Sequence, residues 1–158
     1  MRAVLSIGSN MDDRWALLRR VRDEFAGEII ALSPVYSTPP WGVTDQDEFL
    51  NAVLIVEVED TPLELLRRGQ RLEEEAERVR VRRWGPRTLD VDIVTIDGIE
   101  SDDPVLTLPH PHAHERAFVL VPWLAADPEA MLGGGGVDKL LAALDPADVA
   151  AIVEVGCL

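Results

Sequence analysis

The sequence predicts an α+β domain, with helices packed against a mainly antiparallel sheet, and three observations carry that prediction. Apolar runs of strand length and stretches of helical period follow in the order strand, helix, strand, strand, helix, strand. Hydrophobic residues make up 47% of the chain and are spread along all of it, which excludes a disordered protein. The 158 residues suffice for one packed core, and no repeat or linker divides them, so a single domain over residues 1–158 is expected.

Residues 3–7 are an apolar run ending at Gly8-Ser9-Asn10, which reads as a first strand and a tight turn. Asp12 or Asp13 can cap the helix that follows, where Trp15, Leu18, Val21 and Phe25 recur at helical spacing and Gly27 supplies a stop. Residues 29–36 read as a second strand, broken by Pro34 and therefore at an edge or bulged. Thr38-Pro39-Pro40-Trp41-Gly42 opens a loop running to about Glu48. A third strand is expected over 49–59, alternating at its end through Ile55, Glu57 and Glu59.

Thr61-Pro62-Leu63-Glu64 is a helix start: a capping threonine, a proline at the first turn and a capping-box glutamate. This second helix should run to about Val79 and bury Leu65, Leu66, Leu72, Ala76 and Val79. A loop broken by Gly85-Pro86 leads to a fourth strand over 89–96, closed by the turn signal Asp97-Gly98. The last third predicts a short strand over 105–108 and a helix over 114–125 interrupted by Pro122. A glycine turn over 133–136, an amphipathic helix over 137–144 and an edge strand over 151–155 complete it.

The chain carries 15 Lys plus Arg against 29 Asp plus Glu, a net charge of −14. Such a surface repels phosphate backbones and anionic lipid, which argues against nucleic acid and membrane partners. Against that background, Arg78, Arg80, Arg82, Arg83 and Arg87 form a cationic island with no acid among them. The one cysteine, Cys157, allows no internal disulfide and suits a reducing compartment. With no apolar stretch near the ~20 residues of a membrane span, a soluble cytoplasmic protein is expected.

The most informative segment is Leu89-Asp90-Val91-Asp92-Ile93-Val94. Alternate residues of a strand share a face, so both carboxylates point the same way, ~6.6 Å apart along the chain. Their apolar neighbours suggest an interior strand, where uncompensated carboxylates would cost several kcal/mol each. Divalent cations offset that cost, and Mg²⁺ favours a few carboxylates with water and phosphate oxygens filling its octahedron. Cations with a nearby arginine loop are what a polyphosphate requires. The bland readings are a fraying strand end facing water and arginines paired with Glu73, Glu74, Glu75 and Glu77.

No Walker-type glycine loop is present. His110, His112 and His114 fall at alternate positions, where an extended segment can chelate a transition metal, but Pro109 and Pro111 distort it. One histidine reaching phosphate beside Arg116 is the better reading. Trp84 inside the arginine loop is placed to stack on something, Phe49 and Phe118 read as core, and Trp41 as a lid contact or packing anchor.

Ser6-Ile7-Gly8-Ser9-Asn10, Thr38-Pro39-Pro40, Phe49-Leu50-Asn51-Ala52, the stretch from Arg83 through Trp84, Gly85, Pro86, Arg87, Thr88 and Leu89 to Asp90-Val91-Asp92, and Pro109-His110 occur in an order that resembles the 6-hydroxymethyl-7,8-dihydropterin pyrophosphokinase family over essentially the whole chain. The resemblance implies a ferredoxin-like α/β/α sandwich with a C-terminal extension. It implies transfer of diphosphate from ATP to the pterin hydroxymethyl group in folate biosynthesis, releasing AMP. Asp90 and Asp92 would hold two Mg²⁺ ions, with ATP as co-substrate. Arg80 and Arg87 would act on the phosphates, assisted by His110 and Arg116. Gln70, Glu73, Trp84 and the backbone near Ile93 would contact the nucleotide. The pterin would lie between Phe118 and Trp84, bound by Asn51, with Thr38, Pro39, Trp41 and Phe49 around it. A monomer binding only ATP and a dihydropterin is expected.

Several positions depart from the family pattern: the arginine loop is shorter before Trp84, and Val81, Val105, Pro111 and Phe49 replace other residues. The rival readings are a non-catalytic module binding a small molecule or metal through its histidines, and a two-metal nucleotidyl transferase with another acceptor.

Overall fold

The computed structural model describes residues 1–10, 13–39, 48–78 and 89–158. The elements are β1 (Arg2–Ser9), α1 (Arg14–Glu24), β2 (Ile29–Leu32), β3 (Val35–Thr38), β4 (Phe49–Glu57), α2 (Pro62–Arg78) and β5 (Asp90–Ile96). A 3₁₀ turn at Ala113–Glu115 precedes α3 (Ala117–Ala126), β6 (Met131–Leu132), β7 (Gly135–Gly136), α4 (Val137–Ala142), α5 (Pro146–Ala150) and β8 (Val153–Gly156). Among the described residues, the main sheet has the order β5-β1-β4-β3-β8, with β2 also on β4, and every pairing is antiparallel.

Helices cover both faces, which makes an α/β/α sandwich. Leu18 and Val21 of α1, Phe25 just after it, and Leu65, Leu72 and Ala76 of α2 bury against Leu5, Ile7, Leu54, Val91 and Ile93 on one face. On the other, Val119, Leu120 and Trp123 of α3 cover Val4, Val53, Ile55 and Val94. Each large side chain buried this way is worth roughly 1.5–3 kcal/mol. Because β1 is covered on both faces and paired on both edges, it is buried from Ala3 to Ser9, which is why its sequence runs apolar without alternation.

Caps follow the sequence closely. Asp13 accepts from the Ala16 N–H, and Thr61 and Glu64 exchange bonds of 3.2 and 2.9 Å as a capping box. Gly98, at φ 74°, makes the turn that brings Ile99 back to Ile96. Gly133 and Gly134, both at positive φ, close the β6–β7 hairpin.

Other expectations are corrected. Residues 29–36 form two strands, β2 and β3, that share β4 as partner, because Ser33-Pro34 interrupts the ladder between them. Gly27 does not adopt the left-handed conformation; the α1 end is satisfied by turn bonds from Phe25, Ala26 and Glu28. Residues 105–108 are not a strand: a turn there leaves Val105 63% exposed, with one bridge between Ser101 and Leu108. Gly8 and Ser9 belong to β1 instead of a turn. Strand β5 ends the sheet order instead of lying inside it, and α2 covers its apolar face.

Candidate active site

Strand register assembles the site. Gly8 on β1 lies opposite Asp90 on β5 and Asn51 on β4, and Ser6 lies opposite Asp92. Opposed residues share a face, and Val53, two residues beyond Asn51, packs under α3. Asp90, Asp92, Ser6, Gly8 and Asn51 therefore all open on the α3 side, just past the start of that helix. There they floor a cavity of about 340 Å³, walled by Thr38, Pro39, Phe49, Arg116 and Phe118.

Gly8 is required by close approach. A Cβ at this position would stand 2.7 Å from Asn51 Oδ1. Asn51 is buried and donates through Nδ2 to Thr38 Oγ1 at 2.7 Å, so its amide is held by a neighbouring strand. Ser37 Oγ donates to Glu48, tying the end of β3 to the start of β4.

A bulge brings the histidine segment to the carboxylates. Leu5 pairs with Ile93 but Val4 with Thr95, so β5 carries one extra residue at Val94. The bulge resets the alternation beyond Val94, so Ile93 and Ile96 both face the α1–α2 layer, with Val94 toward α3. The freed Val94 carbonyl accepts the His110 N–H at 2.7 Å. Burial pushes the His110 imidazole below its ordinary value; the Asp92 carboxylate opposes that, while Arg116 and His112 add to it. Arg116 caps the start of α3 and lies 5.7 Å over the Phe118 ring. His112 Nδ1 pairs with Glu115 at 2.7 Å, and His114 is exposed, so the three histidines do not converge.

The donor set on the cavity floor is oxygen only: two half-buried carboxylates on one face with the Ser6 hydroxyl beside them. This fits Mg²⁺, which takes hard oxygen ligands and leaves positions for water or phosphate. Among the described residues that line the cavity, none brings an imidazole or a thiol for a softer metal.

Of the residues singled out from sequence, Asp90, Asp92, Thr38, Pro39, Phe49, Asn51, Arg116 and Phe118 meet at this cavity. Phe49 and Phe118, read as core by composition, are half-buried on its wall. Gln70 is exposed on α2, Glu73 accepts the Val91 N–H at the outer edge of β5, and the Ile93 side chain is buried toward α2. Trp41, Arg80, Trp84 and Arg87 lie outside the described residues. Ser6 and Gly8 had no separate role in the sequence reading. The signal for Gly8 was its place two residues after a strand-facing serine, legible only once β1 extends to Ser9.

Fold and cleft together define an α+β enzyme domain with an acidic, oxygen-lined cavity at one end of its sheet. Residues 4–128 match the 7,8-dihydro-6-hydroxymethylpterin-pyrophosphokinase (HPPK) family, and the chain belongs to that family. A Mycobacterium tuberculosis protein named 2-amino-4-hydroxy-6-hydroxymethyldihydropteridine pyrophosphokinase is 49% identical over 161 residues, covering 93% of this chain and 86% of its own. One of the same name from Methylorubrum extorquens is 43% identical over 152 residues, covering 94% and 96%. A crystal structure of Plasmodium falciparum HPPK-DHPS shares the fold, with a TM-score of 0.65 at 14% identity over 89% of this chain. This chain spans 45% of that longer one.

Proposed function

We propose that this cavity is where the enzyme moves diphosphate from ATP onto the hydroxymethyl group of 6-hydroxymethyl-7,8-dihydropterin, releasing AMP, for folate biosynthesis. The observation that carries the assignment is the convergence of Asp90 and Asp92 with Asn51, Phe49 and Phe118 on one cavity. Carboxylates for a metal–polyphosphate complex and an apolar wall with one buried amide for a flat heteroaromatic ring meet within reach of each other.

Asp90 and Asp92 hold Mg²⁺ in this reading, as two ions. When bound, Mg²⁺ offsets the charge of the triphosphate and of the departing AMP. Arg116 brings a guanidinium to the same wall. His110, whose imidazole burial pushes below its ordinary value, offers a ring N–H to a phosphate oxygen. Asn51, fixed by Thr38, reads the edge of the ring, while Phe118 and Phe49 exclude water from its faces. The attacking hydroxymethyl oxygen then meets the β-phosphorus in line, and positioning supplies much of the acceleration.

The nucleotide base belongs at the outer edge of β5. The Val91 N–H turns away from β1 to reach Glu73, and Ile93, two residues on, turns its backbone the same way. Gln70 lies on the same helix as Glu73. Arg80 and Arg87 clamp the phosphates and Trp84 stacks on the pterin, with Trp41 near it; these roles rest on the family resemblance. The reading takes residues 1–158 as one domain acting as a monomer in the cytoplasm, where a lone free cysteine is at home.

The test is AMP formation from ATP and Mg²⁺, with and without the pterin, beside Asp90→Ala. Pterin-dependent AMP that vanishes in a folded Asp90→Ala protein is expected. Equal turnover in both would separate the activity from this cavity.

A further inference from the structure

The contact at the outer edge of β5 also bears on the carboxylates themselves. Glu73 Oε2 accepts the Val91 N–H at 2.9 Å, and Val91 is the residue between Asp90 and Asp92. On its other edge Val91 is opposite Ile7 of β1. One turn before Glu73 on α2 stands Gly69, where a Cβ would lie 3.1 Å from Val91 Cγ1. The absence of that Cβ lets α2 settle on β5 closely enough for Glu73 to reach the strand edge. Two residues at i and i+4, on one helix face, thus grip the backbone and the side chain of Val91.

We propose that Glu73 is a positioning residue for the metal-binding carboxylates, acting through the Val91 peptide and not through a ligand. A strand at the end of a sheet has N–H groups with no neighbouring strand to accept them. A carboxylate accepting one of them makes a short, charge-assisted bond and does locally what a further strand would do. Held there, the strand cannot twist or slide about Val91, and the spacing and common facing of the flanking carboxylates are kept before any ligand arrives. Gly69 sets the distance at which this works. The inference rests on the reading of Asp90 and Asp92 as the metal-holding pair, and it assigns Glu73 a duty separate from nucleotide contact.

The test compares Glu73→Ala, Glu73→Gln, Gly69→Ala and Asp90→Ala in two measurements. One is the exchange rate of the Val91 amide in ligand-free protein by NMR. The other is Mn²⁺ affinity by electron paramagnetic resonance with a saturating non-hydrolysable ATP analogue. Glu73→Ala should speed Val91 exchange relative to Leu5 and Ile7 and weaken Mn²⁺ binding by about 10-fold, the usual loss on removing an outer-shell partner. Glu73→Gln, which keeps an acceptor oxygen, should restore most of both. Gly69→Ala leaves Glu73 intact, promotes helix, and should weaken Mn²⁺ binding in the same direction, so the test survives a folding failure of Glu73→Ala. Unchanged Mn²⁺ affinity in Glu73→Ala beside its loss in Asp90→Ala would overturn the positioning role alone. Unchanged affinity in Asp90→Ala would overturn the metal-site reading and the inference with it.

Discussion

Among the described residues, the charge cluster around Arg68 and the one at the cavity are built oppositely. Around Arg68 a cation is the centre: its guanidinium, 15% exposed, meets Glu28 at 2.7 Å, Glu24 at 3.1 Å and Asp60 at 3.2 Å, above the Phe25 ring at 4.2 Å. The hydrogen bond to Glu28 holds it charged well above its ordinary range against the opposing effect of burial, with Asp60 and Glu24 adding support. These acids come from the end of α1, the approach to β2 and the turn before α2, so the cluster ties three connections together. At the cavity, carboxylates are the centre, on the floor of a space that Arg116 also lines. A cluster packed around a cation between connections is scaffold; one that lines a cavity is placed to meet a ligand.

That contrast predicts different losses. The largest is expected for Asp92→Asn, where diphosphate transfer should fall on the order of 10³-fold, as for removal of one preorganised charge contact. Its thermal midpoint should hold or rise, since like charges on one face are relieved. Arg68→Met should do the reverse and leave kcat intact. Stranding three carboxylates should cost about 2–3 kcal/mol, roughly 5–10 °C, after discounting for Glu24 and Glu28 being about a third exposed. Activity lost in Arg68→Met at temperatures where it remains folded would erase the distinction.

Gly8→Ala sharpens it within the cavity. The new methyl must displace the Asn51 amide, and a strain near 1.4 kcal/mol would raise the pterin KM about 10-fold with a smaller change in ATP KM. The smallest effect concerns His110. In metal-free protein its imidazole should titrate below the ordinary value of 6.5, and further below in Asp92→Asn, because that carboxylate raises it. The unfolded chain then binds more protons than the native one between the two pKa values, so this residue's contribution to stability is complete above about pH 6.5 and declines as pH falls toward the native value. An NMR titration of the wild-type and Asp92→Asn proteins checks both signs.

Local signals were read well where short-range chemistry decides structure. The capping box at Thr61, the Asp13 cap and the turn at Asp97-Gly98 each involve residues within a few positions of one another. Helix α5 was missed although Asp145 caps it and Pro146 opens it, because five residues with none buried show no apolar period. The reading of 105–108 as a strand failed for the converse reason: an apolar residue, Val105, sits on an exposed turn that no partner strand covers. Strand β5 looked interior because its apolar residues serve helical layers on both sides, the bulge at Val94 switching one of them over.

By itself the sequence determined the α+β class, the starts of α1 and α2 and the spacing of the carboxylate pair, since period, caps and alternation are properties of neighbouring residues. Its order of motifs also identified the family. Only the tertiary structure decided that Gly8 stands between Asp90 and Asn51, that a bulge delivers His110, and that Glu73 grips Val91 from another element. These depend on register between strands and on the distance at which a helix settles on a sheet. Both are set by packing among residues far apart in the chain, which no local pattern encodes.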